Sequence, residues 1–398
     1  MNLAIVRQRY TPFGGAERFL ERAMPALQQQ GVRLTLLTRH WQTIHGNGHD
    51  NPVNPVNPDY FHRIIRCRPF HVGRLWRDWS FSYAVCRAIE EHDLLRTHIV
   101  QSHERIPCCH IYRAGDGVHR EWLHQRTRFL ESTQPSWRRI IQPSDLYHHY
   151  VLAAEAKMFH SPILRKIVCN SRMVANEIHQ HYGVPHDRMA VIYSGIDIPK
   201  LSPEHRFDLR MHCRQQWQID RDDVLFLYVG SGFQRKGVDI LLRVWCSMPK
   251  HARLLVVGKD RALPHYQAMA TRLGVAGRVV FTGAQTDVGA FYVAADAFVL
   301  PTLYDPFPNV ILEAMAYALP VITSYKSGAS DLLVHAHNGL LGDAMDPVTL
   351  QHNLQHLLDP DVRHAMGVAG HQTVQPYSMQ AMAAQWVALY HTLLPERT

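Results

Sequence analysis

The chain has 398 residues, 46% of them hydrophobic and 19% charged, which allows two or three domains with sizeable cores and excludes a disordered or fibrous class. Its net charge of +8 is carried entirely by residues 1–199, with 25 basic against 17 acidic side chains, while the remainder holds 17 of each; the first half is therefore expected to meet something anionic, whether nucleic acid, a membrane surface or a phosphorylated substrate. No stretch approaches the roughly eighteen apolar residues of a membrane span and the start lacks a secretory apolar region, so the expected place is the cytoplasm.

In chain order, Leu3 to Val6 reads as a buried strand, Ala16 to Gln30 as a helix ended by Gly31, and Val32 to Thr38 as the next strand. This is a βαβ unit with Gly14 and Gly15 where the turn enters the helix. The spacing is not G-x-G-x-x-G, and the pair fits a bare tight turn as well as one that lets a phosphate approach the backbone. His45 to Asp59, with its NPVNPVNPD, reads as an exposed loop. Phe61 to Arg87 mixes six Arg and two Trp into apolar residues; part of it is expected to be a helix with Arg outward, and Arg63, Arg66, Arg74 and Arg77 offer a surface to an anionic, partly apolar acceptor or simply face solvent.

His98 to Ser102 is the next strand. The seven cysteines form no C-x-x-C pair and predict reduced thiols, with Cys108 and Cys109 as small core residues. The 28 scattered histidines lack zinc-site spacing, so no structural metal is expected. Asp116 lies between two glycines after the apolar run Cys109 to Tyr112, at the carboxyl end of a strand where open α/β sheets bind ligands; a plain turn residue fits as well. Arg120 to Tyr150, with Trp122, Trp137, Arg138 and Arg139, reads as helical and facing the acceptor. Lys166 to Asn170 and Ala190 to Tyr193 are strands around a helix at Met173 to Tyr182, and Pro199 and Pro203 mark a linker.

A second unit opens with the strand Val224 to Val229 and GSGFQRKG, in which Gly230 starts the loop and Arg235 and Lys236 precede a helix beginning at Gly237. Two cations there repel each other and oppose the helix dipole, an arrangement that suits a diphosphate between them or, failing that, solvated charges. Strands at Arg253 to Val257, followed by Gly258, and at Val279 to Thr282 alternate with helices at Pro264 to Leu273 and Val288 to Ala294, which predicts a parallel sheet with right-handed crossovers. Ala297 to Leu300 then leads through DPFPN into a helix at Asn309 to Leu319 and a strand at Val321 to Thr323. The first amides of that helix, Asn309 and Val310, can meet an anion. Glu313 is its lone charge and needs a partner unless it faces solvent. Strand-like Gly339 to Leu341 and helices over Pro347 to Leu358, Val362 to Val374 and Met379 to Leu393 close the chain.

Asp305 and Glu313, eight positions apart, resemble the E-x7-E motif of family 4 retaining glycosyltransferases, with Asp for the first Glu. FGGAER, YRAGDGVH and GFQRKGVD are similar to the lipopolysaccharide-core hexosyltransferases of that family. The resemblance implies GT-B architecture: two Rossmann-like α/β domains with parallel sheets facing a central cleft, an acceptor-side domain at 1–198, a donor domain at 199–375 and a C-terminal helix at 376–398 packing back toward the first. It implies catalytic roles for Asp116, Arg235, Lys236 and Asp305, and donor contacts for Gly14, Gly15, Gly230, Gly258, Phe307, Asn309, Val310 and Glu313. Arg63, Arg66, Arg74, Arg77, Trp122, Arg138 and Arg139 then lie on the acceptor side. The implied reaction moves a hexose, with retention and without a metal or cofactor, from a UDP-hexose to an anionic glycolipid such as the lipopolysaccharide core, at the inner face of the cytoplasmic membrane; nucleic acid is not expected. A nucleotide-sugar epimerase of this architecture and a non-enzymatic binder of anionic lipid or nucleic acid are the alternatives.

Overall fold

The computed structural model describes residues 1–10, 24–41, 61–133 and 145–393. It divides into two compact units: Met1–His124 with Gln134–Gly195 and Met379–Thr398, and Gln125–Thr133 with Ile196–Ser378. Each is built on one parallel sheet.

The first sheet has seven strands, in the order Arg63–Arg66, Arg33–Thr38, Asn2–Val6, Ile99–Ser102, Ile111–Ala114, Lys166–Cys169 and Met189–Val191. Every neighbouring pair is parallel. Leu3, Ala4, Ile5 and Val6 are all buried, because helices cover both faces and a strand so placed must be apolar on each side. One face carries Phe81, Val85, Ile89, Tyr112, Phe159 and Ile178. The other is closed by the final helix, Met379–His391, whose Met382, Trp386 and Tyr390 pack on Leu3, Ile5, Leu34 and Leu36. The Tyr390 hydroxyl donates to Gln101 Oε1 at 2.7 Å, which satisfies its one polar atom in the core.

The second sheet has six parallel strands, in the order Val279–Gly283, Ala252–Val257, Val224–Val229, Ala297–Leu300, Val321–Ser324 and Leu340–Gly342. All six residues of Val224–Val229 are buried. Its order reverses between Val224–Val229 and Ala297–Leu300, so the loops that follow these two strands flank the crevice where such sheets bind ligands.

Several local expectations change. Arg63 and Arg66 lie on an edge strand, not on an outward helix face; the helix of that region is Gly73–Glu91. Arg120 to Tyr150 holds parts of two helices, His119–Thr133 and Asp145–Phe159. The supposed linker contains the helix Pro203–Gln216, capped by Ser202 accepting from the His205 amide. The helix after Pro308 ends early, at Ala316, with Ala318 in the left-handed region at φ 61°. The thiol expectation fails for one pair: Cys86 and Cys108 form a disulfide with Cα atoms 5.7 Å apart. The chain brings helix Gly73–Glu91 beside the loop after Ile99–Ser102, a proximity that a separation of 22 residues does not signal. Cys109 is a buried free thiol. No described helix is long and apolar enough to cross a membrane.

Candidate active site

In the second unit the chain leaves Val224–Val229 through Gly230 and enters helix Val238–Trp245 through Gly237, which sits at φ +78°. A Cβ at Gly237 would collide with the Pro301 carbonyl oxygen, so this glycine is required by both backbone angle and space. Gly237→Ala is expected to lower stability by about 2–4 kcal/mol, seen as a lower denaturant midpoint at unchanged slope; an unchanged midpoint would contradict this close approach. Gly258 has a similar structural reason, since a Cβ there would strike the Gly230 carbonyl oxygen. The Phe233 amide donates to Asp260 Oδ2 at 2.7 Å, which pins the loop.

This loop is knitted to the segment after Ala297–Leu300. The Arg235 carbonyl accepts from the Leu303 amide at 2.8 Å and the Thr302 hydroxyl at 3.1 Å. The guanidinium of Arg235 donates to the Tyr304 carbonyl at 2.8 Å and stands 3.3 Å from Asp305 Oδ2. Lys236 Nζ lies 3.4 Å from the same oxygen. Asp305 is clamped by its backbone, its amide donating to the Lys326 carbonyl at 3.0 Å and its carbonyl accepting from the Gly328 amide at 2.8 Å. Beside it the buried Ser327 hydroxyl has no hydrogen-bond partner among the described residues.

Two cations thus share one carboxylate oxygen, and the cluster keeps a surplus positive charge. Burial pushes the Lys236 ammonium below its ordinary pKa, and Asp305 opposes that shift. In a site of low dielectric this surplus favours an anion more strongly than the same charges would in water. Gly230 leaves room for Lys236, because a Cβ there would press on its side chain at 2.8 Å.

Helix Asn309–Ala316 starts just beyond Asp305, with Asn309 and Val310 half-buried in its first turn and Phe307 buried ahead of it. Glu313 is buried, and the Tyr292 hydroxyl donates to its Oε2 at 2.9 Å. The solvent-facing reading of Glu313 is therefore excluded.

In the first unit Asp116 follows Ile111–Ala114, half-exposed, 3.9 Å from Arg105 Nη1. Arg105 is fixed by Glu155, which is fully buried and also accepts from the His119 amide and, at 2.7 Å, from the Tyr182 hydroxyl. Arg74 lies over the Tyr147 ring at 5.2 Å, and Arg77 is ion-paired to Asp78 at 2.7 Å. Arg63 and Arg66 are exposed on their edge strand, and Trp122 is half-buried on His119–Thr133. Gly14, Gly15, Arg138 and Arg139 lie outside the described residues.

The structure brings Arg235, Lys236, Asp305 and Gly230 together, whereas the acceptor-side arginines are spread over separate elements. Tyr292, Arg105 and Glu155 escape the sequence reading because each gains its role from a partner distant along the chain, and Ser327 because only the fold sets it beside Asp305. The lone Glu313 in an apolar helix was the available signal for Tyr292, since such a carboxylate demands a donor.

Residues 13–200 match the family Glycosyltransferase Family 4, and residues 223–360 match Glycosyl transferases group 1. The lipopolysaccharide glucosyltransferase WaaG of Escherichia coli K12 is 25% identical over 343 residues, covering 85% of this chain and 84% of that protein. The lipopolysaccharide core biosynthesis glycosyltransferase LpsE of Rhizobium meliloti is 29% identical over 178 residues, 44% of this chain and 52% of its own. The crystal structure of WaaG superposes with a TM-score of 0.76 at 22% identity, covering 97% of this chain and 99% of that one. Anabaena HepE in complex with UDP-glucose gives 0.72 at 18%, covering 99% and 100%. With both units matched in chain order and the GT-B fold shared along the whole length, the chain belongs to the family 4 glycosyltransferases and is a hexosyltransferase.

Proposed function

We propose that this enzyme transfers a hexose, with retention and without a metal, from a UDP-hexose to an anionic glycolipid of the lipopolysaccharide-core type, at the inner face of the cytoplasmic membrane. The observation that carries the reading is the convergence of Arg235 and Lys236 on one oxygen of Asp305. A departing nucleoside diphosphate needs positive charge as the sugar carbon gains oxocarbenium character, and fixed cations supply it without reorganisation. Asp305 is assigned to the sugar, Glu313 to the ribose, the amides of Asn309 and Val310 to the phosphates, and Asp116 to the reaction centre. The donor and acceptor classes are supported by the names of WaaG and LpsE and by the UDP-glucose bound to HepE.

Thermal-shift screening of nucleoside diphosphate sugars tests the donor: UDP-hexoses should raise the melting temperature by mass action, and a response confined to other nucleotides would overturn the UDP assignment. Incubation with donor alone should give no interconverted sugar; a new nucleotide sugar would favour the epimerase. Full activity is expected in excess EDTA.

Membrane association is supported by helix Gly73–Glu91 and the irregular segment before it, where Phe70 is 74% and Trp79 54% exposed beside the exposed Arg74. Aromatic rings at headgroup depth with arginines around them suit an anionic surface. Anionic vesicles should retain the protein at low salt and release it as salt rises; equal retention by neutral vesicles would contradict the electrostatic part.

A further inference from the structure

Glu313 and Tyr292 face each other from two helices of the second unit, Asn309–Ala316 and Gly289–Ala294. Both side chains are buried. A buried carboxylate needs donors aimed at it, and the Tyr292 hydroxyl supplies one, 2.9 Å from Oε2. A hydrogen bond to an ionised acceptor is about twice as strong as one between neutral groups, so this contact holds the carboxylate to one orientation.

Tyr292 can do this because its own ring is fixed. It stacks on Tyr317, with centroids 5.3 Å and planes 17° apart, and lies tilted against Phe298 at 6.1 Å. Tyr317 ends helix Asn309–Ala316, and its amide donates to the Glu313 carbonyl at 3.2 Å. The Tyr317 carbonyl accepts in turn from Arg206 Nη2 at 2.9 Å, which ties the end of this helix to helix Pro203–Gln216. Gly289 leaves space for the Tyr317 hydroxyl, since a Cβ there would stand 2.9 Å from it. Glu313 is thus braced twice, at its carboxylate by Tyr292 and at its backbone by the residue on which Tyr292 stacks.

A carboxylate that recognises two neighbouring hydroxyls must present its oxygens at one angle, because each hydroxyl donates along a single direction. Were it free to turn about its last torsions, it would have to be ordered at each binding event, and the interaction would weaken accordingly. We propose that Tyr292 is the positioning residue for the nucleotide's ribose: by fixing Glu313 it sets how strongly the enzyme prefers a ribonucleoside diphosphate to one lacking the 2′ and 3′ hydroxyls. The proposal rests on the assignment of Glu313 to the ribose and adds the residue through which that selectivity arises.

The test is calorimetric titration of the full chain with UDP and with 2′,3′-dideoxy-UDP, for wild type, Tyr292→Phe, Tyr317→Leu and Glu313→Gln. Wild type should bind UDP about thirtyfold more tightly than the dideoxy nucleotide, as expected for hydrogen bonds to a charged group. Tyr292→Phe keeps the ring and its stacking and removes only the hydroxyl. It should weaken UDP about tenfold and leave dideoxy-UDP as it was, so that the preference nearly disappears. Tyr317→Leu removes the stack but keeps the hydroxyl, and should lower the same preference by a smaller factor; it decides the matter if melting curves show Tyr292→Phe unfolded. Equal weakening of both nucleotides is what a merely structural tyrosine would give. That result, or an unchanged preference, overturns the proposal. Glu313→Gln reports the underlying assignment: if it keeps the wild-type preference, or if wild type binds neither nucleotide or shows no preference, that assignment fails and the proposal falls with it. If Glu313→Gln loses the preference while the folded tyrosine variants retain it, the ribose assignment stands and the positioning role of Tyr292 is refuted.

Discussion

Lys236→Ala is expected to lower kcat/KM for hexosyl transfer roughly 30- to 1000-fold, about 2–4 kcal/mol of transition-state stabilisation, and to lower kcat itself. The Lys236 side chain is 12% exposed and shares Asp305 Oδ2 with Arg235, so that carboxylate only partly compensates its charge in a site largely shielded from water. As the glycosidic bond breaks, negative charge builds on the leaving phosphate, and an interaction that strengthens along that coordinate lowers the barrier rather than merely tightening binding. Arg235 is held by the Tyr304 carbonyl as well; under the proposed shared role on the diphosphate, the double variant should lose less than the sum of the single losses. A Lys236→Ala enzyme with only its donor KM changed would show that the lysine serves the ground state.

Asp305→Asn separates the two carboxylates of the motif. The side chain is 10% exposed and balances two cations; without its charge they repel each other across a poorly screened gap. A stability loss of about 3 kcal/mol is expected, at the low end for a broken buried pair because the Arg235 head still reaches solvent. Turnover should fall with it. Stabilisation by UDP should be as large as in wild type or larger, since the phosphates no longer compete with a protein carboxylate for the cations. Glu313→Gln should do the reverse, weakening UDP binding while the Arg235 and Lys236 contacts to Asp305 remain, because the hydrogen bond of Glu313 runs to Tyr292 and its pull on Lys236 is weaker than that of Asp305. If the two effects are interchanged, the sugar and ribose roles have been assigned in the wrong order.

The parallel sheets were legible because strands buried on both faces must be apolar throughout, as in Val224–Val229 and Ala297–Leu300. The cation pair was legible because adjacent charges before a helix are unfavourable without an anion; what could not be read is that Asp305, some seventy residues on, already lies between them. Elements held by polar long-range contacts stayed hidden. Helix Pro203–Gln216 shows almost no apolar face, since it is anchored by Arg210 to the Ala294 carbonyl and by both Arg210 and Arg214 to Asp296. The strand Arg63–Arg66 has charged ends and lies at a sheet edge, where the usual apolar pattern fades. The Cys86–Cys108 bond and the Arg105–Glu155–Tyr182 chain likewise depend on partners that only the folded sheet brings together.

The most direct test is a pair of calorimetric titrations in EDTA, UDP and uridine each into wild type and Lys236→Ala. If the lysine holds the diphosphate without a metal, UDP binds the wild-type protein under chelation and its affinity falls in the variant, while uridine affinity is the same in both. Loss of UDP binding by the wild type in EDTA, or equal weakening of UDP and uridine in the variant, would contradict a metal-free diphosphate site at Arg235 and Lys236.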